Sequence, residues 1–176
     1  MSQLRATLSP KLHSLSQRYP SLVNIPVQWG EQDAYGHLYY IFTKIRNNVI
    51  YARYAETSRL AYITQILGVL PLEQVQQYLS ADPIGPIVKS LTINYKSPVK
   101  FPDTILVAST VPADKLTTSS FTHEFIMISH DQERIVATGH AVIVMYNFKD
   151  VCKAHLPESF VCAMSEAFVP EIHAKI

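Results

Sequence analysis

Cysteine is scarce in this chain, and long apolar runs are missing. Only two cysteines occur among 176 residues, Cys152 and Cys162, and their spacing matches no zinc or redox signature. We therefore interpret them as two reduced thiols. No apolar run approaches the roughly 20 residues that a membrane-spanning helix needs, and the densest one, around AVIVMY, has the length of a strand. The sequence thus argues against zinc chemistry, thiol redox chemistry and a membrane span.

An excess of charge of either sign is also lacking. Lysine and arginine number 15 against 14 aspartates and glutamates. A general nucleic-acid binder carries a strongly basic surface, so this class is excluded, whereas a small anionic ligand is still compatible. Apolar residues make up 48% of the chain, enough to bury a sizeable core in one domain.

Residues 1–22 have the composition of an arm. The first acidic residue is Glu31, and the preceding stretch combines Arg5, Lys11 and Arg18 with several serines. Organellar presequences share this composition, but so do ordinary disordered or docking arms. We predict a cytoplasmic protein, with a mitochondrial location as the alternative.

Hydrophobic periodicity predicts an α+β fold. Val23, Ile25 and Val27 alternate as in a strand, and Pro26 indicates an edge position. Residues 47–68 predict one long helix, and four strand-like runs follow it. The helix places one set of residues on a buried stripe and another on the opposite, wetter face. The stripe consists of Tyr51, Ala55, Ser58, Tyr62 and Ile66, and the opposite face of Arg53, Glu56, Thr57 and Thr64.

The last predicted strand becomes apolar on both faces from Ala141 to Met145. Such a stretch has to be covered on both sides. We expect the helix on one side and a partner subunit on the other, hence a homodimer or a dimer of dimers. In the tail, residues 151–176, the spacing of Phe160, Met164 and Phe168 predicts a short helix.

Several motifs between about Asn24 and Leu156 resemble one protein family. They are the WGEQDAYGH loop, the helix start NNVIYARYAETSRL, GPIV, YKSPVKFPDT and the final apolar strand. Together they resemble the acyl-CoA thioesterases of the 4-hydroxybenzoyl-CoA type. The resemblance implies a hotdog fold over residues 23–150, a long central helix wrapped by a curved antiparallel sheet of five to six strands. It also implies dimers that pair sheets edge to edge, active sites at the interface, and hydrolysis of an acyl-CoA without metal or cofactor.

The same resemblance assigns roles to residues. Asp33 is the expected general base or nucleophile, and His37 the second catalytic candidate. The predicted substrate-binding residues are Gly36, Asn47, Asn48, Tyr51 and Lys96. Simpler roles remain open: an aspartate before a glycine often serves a turn, asparagines often cap helices, and Lys96 suits a solvated turn.

One departure from the family pattern separates His37 from Asn47. The pattern has one residue between the histidine and the asparagine pair, whereas this chain has LYYIFTKIR. We interpret residues 39–46 as an insertion that bulges out between the loop and the helix. Two functions therefore remain: an active thioesterase, or a non-catalytic hotdog module that binds acyl-CoA or only dimerises because the insertion disrupts its site.

Overall fold

The computed structural model describes residues 8–31, 48–68, 72–73, 76 and 80–167. The elements used below follow in chain order, with short 3₁₀ turns at Trp29–Glu31 and Ala113–Lys115. They are α1 (Pro10–Ser16), β1 (Ser21–Pro26), α2 (Asn48–Leu67), β2 (Ile84–Tyr95), β3 (Thr104–Thr110), β4 (Ser120–Ser129), β5 (Arg134–Asn147), β6 (Cys152–Lys153) and α3 (Glu158–Ala167). The predicted long helix, the four strands after it and the terminal helix are confirmed.

The strands form one antiparallel, curled sheet in the order β1-β3-β4-β5-β2, with β6 paired to the end of β5. The predicted α+β class is confirmed. Pro26 lies in β1 at one edge of the sheet, where a missing backbone N–H costs no ladder bond. The other edge is β2, and its register with β5 shifts between Val88 and Ser90. Such a bulge increases the local twist and curvature of a strand pair.

Helix α2 buries four of the five residues of the predicted stripe, and the side chain of the fifth, Ile66, lies outside the described part of the chain. Tyr51, Ala55, Ser58 and Tyr62 are buried, while the polar set on the opposite face is exposed. The exposed Glu56 carboxylate lies 3.8 Å from the guanidinium of Arg59, whose side chain is largely buried. After Leu67 the helix ends, with the Gly68 N–H bonded to the Thr64 carbonyl. The predicted capping residue Asn47 lies outside the described residues.

The inner face of the sheet carries two hydrophobic clusters under the helices. One joins Tyr62 to Phe121 and Met145 and to Phe160 and Met164 of α3. The other lies under the first half of α2 and contains Tyr51, Tyr54, Val107, Phe125 and Met127. Because α3 covers one end of the inner face, the predicted tail helix is part of the core. Phe168, the third residue of its predicted spacing, lies outside the described residues.

The outer face of the sheet is covered by the N-terminal segment. Leu12 and Tyr19 pack against Leu106, Ile126 and Ile128. Ser9 caps α1 through a bond from the Leu12 N–H, and Pro10 starts the helix, a position that suits proline because its N–H is absent. Residues 8–22 therefore dock on the sheet, while the assignment of residues 1–22 as an arm or a presequence stays a prediction. The compartment in which the protein works stays a prediction.

Burial within the single chain weakens the reason given for a partner subunit behind β5, and the partner itself stays a prediction. Val144 is buried within the single chain, as are Ala141, Ile143 and Met145 on the inner side. Helix α1 contacts β5, and its hydrophobic cluster includes Ile135 of that strand but no residue from Ala141 to Met145. The sequence pattern required a cover on both faces but could not say which part of the chain would provide it.

Among the described helices, none combines the length and apolarity needed to cross a bilayer. Cys152 and Cys162 are both free, as predicted, and both are exposed.

Candidate active site

The residues predicted for the site fall into two groups. Asp33, Gly36, His37 and Asn47, together with the insertion 39–46, lie outside the described residues. Asn48, Tyr51 and Lys96 are described, and they lie where the start of α2 meets the end of β2. The geometry of this region therefore rests on the elements on either side of the motif loop.

Tyr95, the last residue of β2, joins that strand to the start of α2. Its hydroxyl donates to the Asn48 carbonyl over 3.2 Å, and its ring meets the Tyr51 ring edge to face with centroids 5.1 Å apart. Tyr51 is only 3% exposed, and it packs in the inner-face cluster. Its predicted role in substrate binding therefore competes with a role in the core.

Lys96 follows directly, and its side chain is exposed. Its backbone N–H donates to the Val136 carbonyl over 2.8 Å, and the Ser97 N–H donates to the same oxygen over 3.1 Å. These bonds fix the backbone just after β2. An ammonium group is thus held at the surface beside Tyr95.

Glu31 and Tyr54 form a contact that the sequence did not reveal. The Tyr54 hydroxyl donates to Glu31 Oε2 over 2.9 Å, and the Gln28 N–H donates to the same oxygen over 2.9 Å. Glu31 ends the 3₁₀ turn that opens the WGEQDAYGH loop, and Tyr54 lies in the second turn of α2. The available signal was a second tyrosine three residues after Tyr51, on a neighbouring part of the same helical face.

A second polar group lies deeper, between α2 and the middle of the sheet. The Ser58 and Ser109 hydroxyls are 2.9 Å apart, and the Tyr62 ring packs edgewise on the His123 ring at 5.3 Å. Neither ring nitrogen of His123 has a hydrogen-bond partner in the described part of the chain. The Tyr62 hydroxyl lies near the Val111 backbone but makes no hydrogen bond within the described residues.

Burial sets the protonation of these groups. It lowers the pKa of His123 to about 3, and the nearby Arg59 charge acts in the same direction. It raises the pKa of Tyr62 to about 12, an effect that the Val111 backbone partly offsets. Burial also lowers the pKa of Arg59, against the opposing effect of Glu56. At neutral pH His123 and Tyr62 are uncharged, so this group is suited to packing rather than proton transfer.

Metal ligation finds no support in the described ranges, since they contain no group of three His, Cys, Asp or Glu side chains that could hold an ion. His123 lies in the core, and His130 contacts the Asn24 side chain at 3.0 Å.

Comparison with known proteins agrees with this architecture. A candidate thioesterase from Pseudomonas aeruginosa is 27% identical, with a TM-score of 0.64 over 82% of this chain and 98% of that one. A Thermus thermophilus thioesterase, determined with coenzyme A and zinc, is 20% identical, with a TM-score of 0.65 over 86% and 96%. A DHNA-CoA thioesterase from Staphylococcus aureus is 18% identical, with a TM-score of 0.64 over 84% and 87%.

These structural matches confirm the predicted hotdog fold. No curated protein sequence matches the chain significantly. The family model of the thioesterase-like superfamily, however, matches residues 27–164, which include the motif loop, α2 and strands β2 to β6. The match therefore covers most of the chain and all of the elements around the candidate site. On this evidence the chain belongs to the thioesterase-like superfamily.

Proposed function

We propose that the protein hydrolyses an acyl-CoA thioester. Water adds to the thioester carbonyl, the carbon–sulfur bond breaks, and the products are a free acid and the thiol of coenzyme A. Asp33 acts as the base that takes the proton of the water, or as the nucleophile that first accepts the acyl group. His37 is the second candidate in the same loop. Membership of the thioesterase-like superfamily supports the reaction class.

One observation carries the proposal for the site. The segment between Glu31 and Asn48 begins and ends at the same end of α2, because Glu31 is bonded to Tyr54 and Asn48 is the first residue of the helix. The first backbone N–H groups of a helix lack partners within it and carry a partial positive charge. Such donors stabilise the oxyanion that forms when a thioester carbonyl is attacked.

Substrate contacts are proposed on both sides of this helix end. The Lys96 ammonium is exposed and suits a phosphate of coenzyme A, for which lysine acts as a point charge. Gly36, Asn47 and Asn48 are proposed to line the acyl end. Tyr51 is proposed to shape the site through its ring contact with Tyr95 more than through its own exposed surface. The coenzyme A in the Thermus thermophilus complex supports this class of ligand.

A second copy of the chain is the proposed partner. Strand β2 is an edge strand of the sheet. Three of its apolar side chains are exposed: Val88 by 44%, Leu91 by 37% and Tyr95 by 48%. Their β5 partners Ile143, Ala141 and Ala137 belong to the inner-face clusters, so these side chains face the same way as α2. An unpaired edge with exposed apolar residues invites strand pairing. A homodimer, or a dimer of dimers, would cover it.

Release of free thiol from short, long and aromatic acyl-CoAs tests the function. Asp33→Asn keeps the shape of the side chain but cannot accept the proton, so hydrolysis should fall by about two to four orders of magnitude. Asp114→Asn, in the exposed 3₁₀ turn Ala113–Lys115, is the matched control and should stay as active as the parent. An Asp33→Asn variant with full activity would remove Asp33 from the mechanism. Binding of coenzyme A without thiol release would favour the non-catalytic module.

A further inference from the structure

The carboxylate of Glu31 is held by two donors on one oxygen. The Tyr54 hydroxyl and the Gln28 N–H each lie 2.9 Å from Glu31 Oε2. Tyr54 is buried in the inner-face cluster with Val27, Tyr51 and Val99, so its hydroxyl has little freedom. Hydrogen bonds to an ionised acceptor are stronger than those between neutral groups. The contact therefore ties the 3₁₀ turn firmly to the helix.

The backbone before Glu31 is held from the other side by the sheet. The Val27 N–H donates to the Asp103 carbonyl over 2.9 Å, which continues the β1–β3 pairing beyond Pro26. The Asp103 carboxylate in turn accepts from Ser129 Oγ and from the backbone N–H groups of Thr104 and Asp131. The chain from β1 to Glu31 thus has one anchor in the sheet and one in α2.

We propose that Glu31 is a positioning residue, which acts through the loop that carries Asp33; this rests on the function proposed above. Only two peptide links separate the two residues, and a trans peptide spans 3.8 Å between Cα atoms, so anchoring one limits the reach of the other to about 7 Å. The anchor also lies on α2, the element whose first N–H groups are the proposed oxyanion donors. Glu31 and Tyr54 thereby fix the base of the loop relative to those donors.

The effect on turnover follows from the geometry that catalysis needs. A displacement of about 1 Å can cost roughly 100-fold in rate. Glu31→Ala removes the acceptor and should lower kcat by about 10-fold to 100-fold, with KM little changed because the substrate contacts remain. Glu31→Gln keeps an oxygen that can accept from both donors, so it should restore most of kcat. Tyr54→Phe removes one donor, and its kcat should lie between those of Glu31→Ala and Glu31→Gln.

A double variant separates positioning from general damage. If the two groups act through one contact, Glu31→Ala with Tyr54→Phe should be little slower than Glu31→Ala alone. Tyr146→Phe, on β5, is the matched control for loss of a tyrosine hydroxyl and should keep the parent kcat. If the losses in kcat of the two single variants add up in the double variant, the two groups do not act through one contact, and the proposal is overturned. Losses in kcat that follow the melting temperature would mean that Glu31 serves stability alone and would also overturn it.

Hydrogen exchange provides a readout that does not depend on turnover. In Glu31→Ala, peptides covering residues 27–38 should exchange at least about 10-fold faster, while peptides from β4 and β5 keep the parent rates. Unchanged exchange in residues 27–38 overturns the proposal whatever the activity. The same assay separates the two claims: faster exchange in a chain that releases no thiol would support the anchor and refute the hydrolase, whereas unchanged exchange and unchanged kcat in an active enzyme would refute only the anchor.

Discussion

The Ser58 hydroxyl donates to the Ser109 hydroxyl over 2.9 Å, and both side chains are fully buried. One serine belongs to α2 and the other to β3, so this bond joins the helix to the sheet at the centre of the core. A buried hydroxyl without a partner costs free energy because it has lost its bonds to water. The pair is satisfied only while both members are present.

We predict that Ser58→Ala lowers the free energy of unfolding by about 1–3 kcal/mol, since it leaves the Ser109 hydroxyl buried without this partner. The double variant Ser58→Ala, Ser109→Ala should recover part of that loss. Ser165→Ala is the control, because its hydroxyl donates to the Val161 carbonyl on an exposed helix face and should change stability by less than about 0.5 kcal/mol. Urea denaturation of the parent, Ser58→Ala, Ser109→Ala, the double variant and the control gives the five values needed, and simple additivity of the two single losses in the double variant would contradict the prediction.

Stability should depend on pH through His123. Burial lowers the pKa of this side chain to about 3 in the folded state, and the Arg59 charge acts in the same direction. In the unfolded chain the same side chain has a pKa of about 6.5, so between pH 3 and pH 6.5 the unfolded state binds more protons than the folded state. The contribution of His123 to the free energy of unfolding is therefore complete above about pH 6.5. As the pH falls toward 3, the free energy of unfolding decreases by about 1.4 kcal/mol per pH unit.

The measurement compares the free energy of unfolding at pH 7, 6 and 5. His123→Phe should flatten part of the parent's decline by removing the titrating group, whereas His155→Gln, at an exposed position, should leave the decline as it is. Equal slopes for the parent and the His123→Phe variant would mean that this histidine does not carry the effect.

The edge strand β2 should control assembly. A dimer of the 19.9 kDa chain would measure about 40 kDa by light scattering. Leu91→Lys places a charge on the exposed edge, which disfavours strand pairing, and should shift the protein toward monomer. Leu60→Lys is the control, since Leu60 is 50% exposed on α2. A parent protein that stays monomeric at micromolar concentration would refute the edge interface.

Deleting residues 39–46 should give a protein at least as stable as the parent and a faster thioesterase. The deletion restores the short spacing between His37 and the asparagine pair, and eight fewer loop residues change closure entropy by only about 1 kcal/mol. Melting temperature and thiol release are compared for the two forms. A loss in both would show that the segment is an integrated part of the fold and that Asn47 and Asn48 do not correspond to the family's asparagine pair.

Periodicity predicted β1, α2, the strands β2 to β5 and α3, but it predicted neither α1 nor β6. The stripe on α2 and the alternation in β2 to β5 are local patterns, and each is imposed by the face that an element buries. Docking of α1 could not be predicted, because its composition is that of many surface arms. Its apolar side chains become buried only through contact with the outer face of the sheet, which the local sequence does not show. The sequence did contain a signal for the burial of His123, since this residue lies on the same face of β4 as Phe121 and Phe125.

Contacts distant in sequence were the part that the residues alone could not supply. Glu31 and Tyr54 belong to different elements, and so do Tyr95 and Asn48. No spacing rule relates such pairs, because they are brought together by the helix docking on the sheet. The motif loop was recognisable from its residues, whereas the groups that hold its base became visible only in three dimensions.

The pairing of β1 with β3 has a consequence for folding during synthesis. Ser21 pairs with Ser109, and the α1 segment packs on residues of β3 and β4. Helix α1 and strand β1 therefore cannot form these contacts until β3 and β4 have been synthesised. Contacts of high sequence separation form slowly, because the chain has to close a long loop first. While the ribosome is still making α2 and β2, the apolar side chains of Leu12, Tyr19 and Leu22 have no sheet to cover. Exposed apolar side chains and unpaired strand edges of this kind favour aggregation of a partly made chain.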